Sequence, residues 1–76
     1  MEKHFVFLIE KEEIWARMLM EVLKDNRIPC AAESVYGAAM VLRGGMKERL
    51  RIYVPSERFE AAASLAEELF SGEGIE

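Results

Sequence analysis

Two glycines among cations are the residues best suited to hold a ligand in this chain. Gly44 and Gly45 lie beside Arg43, Lys47 and Arg49. Glycine lets successive backbone N–H groups curl around an anion, and nearby cations would neutralise its charge. A small anionic ligand, such as a phosphate or nucleotide, is what that loop could take. The chain carries neither a GxxxxGK[ST] phosphate loop nor a GxGxxG fingerprint between a strand and a helix. The plainer reading of the same residues is a turn with a solvated basic rim.

Other candidate chemistry is thinner. His4 and Cys30 are the single histidine and the single cysteine. Two such ligands fall short of the roughly four that structural zinc needs. A Cys–His nucleophile pair would require the starts of two strands to meet and a third group to orient the base, and no such group is evident. Alanines follow Cys30, so a buried, inert thiol is the simpler reading. Glu10, Glu12 and Glu13 cluster, as do Glu67 and Glu68. Paired carboxylates do acid–base work when burial separates their pKa values, but these occupy positions typical of wet helix ends and faces. The sequence therefore predicts no catalytic residue, no metal site, no cofactor and no enzymatic activity.

The elements that would position these residues follow from periodicity. Residues 4–9 are β-branched and aromatic and predict a strand covered on both sides, with Phe5, Phe7 and Ile9 on one face and Val6 and Leu8 on the other. Residues 11–26 change to a helical period. Ile14, Met18 and Val22 form one apolar row, and Trp15, Leu19 and Leu23 the next. Asp25-Asn26 offers a stop, and Ile28-Pro29 lies beyond the helix because the residue before proline avoids the α region. Residues 30–35 predict a weak strand, and 36–46 a long connection. Residues 49–54 alternate cleanly, with Leu50, Ile52 and Val54 opposite Arg51 and Tyr53. Ser56 is placed to cap a second helix with Phe59, Ala62, Ala63, Ala66, Leu69 and Phe70 on its buried side.

The predicted fold is thus α+β, a ferredoxin-like βαββα arrangement. Its three-stranded antiparallel sheet has the order 1-3-2, with both helices on one face. A length of 76 residues sets one domain over 1–76, with a core spanning about 4–70 and a tail at 71–76.

Composition narrows the function classes. The chain is 51% hydrophobic and 32% charged, enough for one core under a well-solvated surface. Its net charge of −4 disfavours a generic nucleic-acid binder. Residues 43–58 nonetheless form a basic island, with five basic residues against two acidic ones. The apolar run Phe5–Ile9 is far shorter than the roughly 20 residues of a membrane span and precedes no cleavage pattern. With one cysteine and neither signal, the expected location is the cytoplasm, with no membrane partner.

Asn26-Arg27-Ile28-Pro29-Cys30, the Gly44-Gly45 pair, and Ile52-Tyr53-Val54-Pro55-Ser56 leading into an alanine-rich helix that ends Glu67-Glu68-Leu69-Phe70 together resemble a family of small bacterial domains. These are known as prokaryotic signal-transducing proteins. The resemblance covers roughly residues 5–70 and implies the ferredoxin-like, PII-like fold and a role in signal transduction. PII proteins bind nucleotide and 2-oxoglutarate through particular loops, and none of those binding residues maps onto this sequence. The chain also lacks the Ser/Asp-Pro step that more often follows the first strand in this family.

Two helices cover one face of such a sheet. Val6, Leu8, Arg51 and Tyr53 are therefore expected on an open outer face, beside a first strand with an unprotected edge. Both features favour pairing with another chain. The expected function is a small regulatory or protein-interaction module that forms a homo-oligomer through that edge or face. The alternative is a sensor holding an anionic ligand at Arg43, Gly44, Gly45, Lys47 and Arg49.

Overall fold

A computed structural model describes residues 4–35 and 48–71. Strand β1 (Phe5–Glu12) leads into helix α1 (Glu13–Asp25), followed by β2 (Ala31–Ser34), β3 (Arg49–Pro55), a 3₁₀ turn (Ser56–Arg58) and helix α2 (Phe59–Ser71). The sheet is antiparallel with order β1-β3-β2, as the sequence predicts. The expected long connection at 36–46 and most of the tail at 71–76 lie outside the described residues.

The core forms on one side of β3. Leu50, Ile52 and Val54 are buried together with Ala16, Leu19 and Leu23 of α1 and Ala62 and Ala66 of α2. Alanine at the contact lets α2 approach the sheet closely, because no long side chain holds the two apart. Ile28 is buried in the same cluster. The helices also meet each other through an edge-to-face contact of Trp15 and Phe70, with ring centroids 6.4 Å apart. Such a pair adds about 0.5–1.5 kcal/mol beyond its burial.

Strand β1 outruns its expected end at residue 9 because its charged residues find partners. Glu10 stands opposite Arg51 and Glu12 opposite Arg49. Lys11 places Nζ 4.4 Å from the centroid of the Phe70 ring. Helix α1 consequently begins at Glu13, whose N–H donates to the Glu48 carbonyl (2.9 Å). Ile14 and Met18, expected in the apolar stripe, are 63% and 43% exposed. Leu19 and Leu23 of the second expected row are buried against the sheet, joined by Ala16. Ser56 does not cap α2. It opens the 3₁₀ turn, and its N–H donates to the His4 carbonyl (2.7 Å), tying the start of β1 to the end of β3.

The end of α1 is a complete Schellman motif. The Ile28 N–H donates to the Leu23 carbonyl and the Arg27 N–H to the Lys24 carbonyl, both at 2.9 Å. Leu23 and Ile28 are both buried, supplying the apolar contact that accompanies this motif. It requires a left-handed residue, and Arg27 takes that role with φ 60°. A residue with a Cβ is disfavoured there by about 1–2 kcal/mol, partly offset in glycine by its greater unfolded-state freedom. Arg27→Gly should therefore stabilise the protein by up to about 1 kcal/mol. That corresponds to a melting temperature higher by roughly 4–8 °C in a thermal melt. A lower melting temperature would contradict the assignment.

Candidate functional site

Bulge placement on β1 decides what the open face of the sheet carries. Phe7 pairs with Tyr53 and Ile9 with Ile52, adjacent residues of β3, so Leu8 is an extra residue in β1. Directly opposed residues share a face. Val6 therefore lies on the inner face with Val54, and Ile9 with Ile52, while Leu8 also packs against the core. The expected outer positions of Val6 and Leu8 are thus corrected. They point toward the helices, and Phe5 and Phe7 occupy the outer face, 44% and 49% exposed. Arg51 and Tyr53 lie on that outer face as expected.

Side chains there form a continuous ladder across the three strands. The Phe7 and Tyr53 rings meet edge to face with centroids 5.9 Å apart. The Tyr53 hydroxyl donates to Glu33 Oε1 at 2.9 Å. Arg51 lies 3.9 Å from Glu33 and 3.7 Å from Glu10. Arg49 Nε donates to Glu10 Oε2 at 2.8 Å. Exposed ion pairs of this kind each contribute at most about 1 kcal/mol. Their main effect is to hold the central strand's arginines flat along the sheet. The result is an aromatic end made by Phe5, Phe7 and Tyr53, and a charged end of alternating sign.

Of the expected anion-binding residues, Arg43, Gly44, Gly45 and Lys47 lie outside the described residues. Arg49 belongs to β3 and is engaged by Glu10. The other candidates are dispersed. His4 and Cys30 precede β1 and β2, which are separated by β3, so two strand spacings of about 9–10 Å divide them. Burial pushes the Cys30 thiol above its ordinary 9.0, which keeps it protonated and a poor nucleophile at neutral pH. Glu13 pairs with Arg17 of its own helix at 2.7 Å, and Glu67 and Glu68 are exposed. Among the described residues no group of His, Cys, Asp and Glu is placed to hold a metal ion. Likewise, no described helix is long and apolar enough to cross a membrane.

The Tyr53–Glu33 bond leaves a signature in titration. Hydrogen bonding to Glu33 raises the Tyr53 phenol above its ordinary 10.0; burial and the Glu33 charge add to this, and Arg51 opposes it. A pKa raised on folding gives stability that is fully present below the unfolded value and lost as pH climbs through the folded one. In a Tyr36→Phe background, ultraviolet titration should show tyrosinate forming above the ordinary range, and Glu33→Ala should bring the midpoint down. An unchanged midpoint would mean that the bond does not persist in solution. Comparison with protein-family models, with curated proteins and with solved structures finds no match to the chain.

Proposed function

We propose that the protein is a small regulatory module that self-associates through the outer face of its sheet. The observation that carries this reading is the aromatic end of that face, where Phe5 and Phe7 are about half exposed beside Tyr53. Exposed aromatic clusters of this kind are characteristic of association surfaces. The charged end favours a second copy as the partner. Glu10 and Glu33 flank Arg49 and Arg51, so the face presents both signs in near balance. Such a surface, turned about a twofold axis, can offer acid to base and base to acid.

The face is favoured over the β1 edge as the contact. The Leu8 bulge interrupts the regular spacing of backbone groups along β1, which hinders addition of another strand. A regulatory role accords with the sequence resemblance to prokaryotic signal-transducing domains. No described residue supports the anion-sensor alternative over this one.

Light scattering coupled to size exclusion tests the reading. The wild-type protein should shift toward a dimer as concentration rises. The Phe5→Lys/Phe7→Lys double variant, altered only at half-exposed positions, should raise the dimer dissociation constant by at least about tenfold while keeping its circular dichroism spectrum. A wild type that stays monomeric to millimolar concentration, or a dimer indifferent to these substitutions, would overturn the proposal. Leu8→Lys is not a suitable probe, because Leu8 packs against the core.

A further inference from the structure

The outer face of the described sheet carries its charge in columns. Directly opposed residues share a face, so Glu10 and Glu12 of β1 stand beside Arg51 and Arg49 of β3, and Glu33 of β2 stands on the other side of Arg51. Across the strands the order is acid, base, acid. The aromatic end follows the same rows, with Phe7 beside Tyr53 and the small Ala31 beyond it. The orientation of a second copy is set by this pattern, and it rests on the self-association proposed above.

Two facing sheets related by a twofold axis need that axis in the plane between them. An axis along β3 would set Arg49 and Arg51 on their own counterparts and the acids of β1 on Glu33. An axis across the strands through the charged end would lay each strand on its own counterpart, again acid on acid and base on base. Across the strands at the aromatic end, it would bring only the phenylalanines together and leave the charged ends out of contact. Along the strands between β3 and β2, it would leave Phe5 and Phe7 uncovered. Along the strands between β1 and β3, both halves of the face match. Phe7 then lies on Tyr53 of the second copy, Glu10 on its Arg51 and Glu12 on its Arg49, each contact made twice. Like charges set opposite one another suppress a docking mode, and opposite charges favour it.

We infer that two copies pack face to face about a twofold axis along the strands, each laying its β1 on the other's β3. Glu10 already holds Arg49 at 2.8 Å and lies 3.7 Å from Arg51 of its own chain. These groups lie along the sheet rather than across the gap, which is about 10 Å between packed sheets. The charges that the contact takes from water thus keep partners, the condition under which burying them is tolerated.

The test uses the wild-type protein, half of it isotope-labelled, in filtered nuclear Overhauser spectra that report only contacts between copies. Contacts should appear between the Phe7 ring and the Tyr53 ring, and between the Arg51 and Glu10 side chains. The dimer dissociation constant should also rise several-fold between about 50 and 500 mM sodium chloride, because the contact is partly ionic. Contacts confined to Phe5 and Phe7 would put the axis across the strands and overturn the inference. Contacts of Tyr53 with Tyr53 and of Arg51 with Arg51 would put it along β3 and do the same. So would a dissociation constant that stays level or falls as salt is added. Those results leave self-association through the face standing. A dimer with no contacts at the face, or a monomer at millimolar concentration, would overturn both.

Discussion

Burial on one side of β3 is the constraint from which the other features follow. Leu50, Ile52 and Val54 alternate with Arg49, Arg51 and Tyr53, so among the described residues a single strand divides a packed side from a partly exposed one, with Pro55 buried at its end. The packed side is closed by Leu19, Leu23, Ala16, Ala62 and Ala66. Truncating a buried residue such as Ile52 to alanine costs about 2–5 kcal/mol, against a total of only about 5–15 kcal/mol for a typical domain. A chain this small has little apolar area to spare. Both described helices pack on one face, and Phe5 and Phe7 on the other are about half exposed.

That division explains the character of the open face. Arginine and glutamate in alternation keep most of it soluble, and the cross-strand pairs hold the arginines against the sheet rather than out in solution. The aromatic end is different. Phe5 and Phe7 could have been inward residues had β1 kept strict alternation in the opposite phase. The register set by Val6 against Val54 places them outside instead. The Leu8 bulge then returns Ile9 to the interior, so β1 packs against the core at Leu8 and Ile9. The extra residue thus adds to the core, while the regular register before it leaves two phenylalanines on the surface.

Much of this was legible in the residues and some was not. The period-two pattern of β3 and the helical spacing of Ala62 and Ala66 fix which side is buried, and the element order fixes the 1-3-2 sheet. The phase of β1 was not legible, because residues 5–9 are apolar at every position and no polar residue marks the wet face. Nor does a bulge have a sequence signal in such a run. In α1 two apolar rows competed, and the weakly apolar Ala16 decided the outcome by allowing close approach where Ile14 or Met18 would have been too bulky. Of the open face, Arg51 and Tyr53 were readable from alternation alone. Phe5 and Phe7 required the register.

Paramagnetic relaxation of ring and methyl protons by a soluble agent, followed over a range of protein concentrations, bears most directly on this account. The ring protons of Phe7 and Tyr53 should relax strongly in dilute protein and become protected as it is concentrated, while the methyls of Ile52 and Val54 stay protected throughout. Rings shielded even at the lowest concentration would show that the chain seals its own sheet. Rings exposed at every concentration would show that nothing of its own kind comes to cover it.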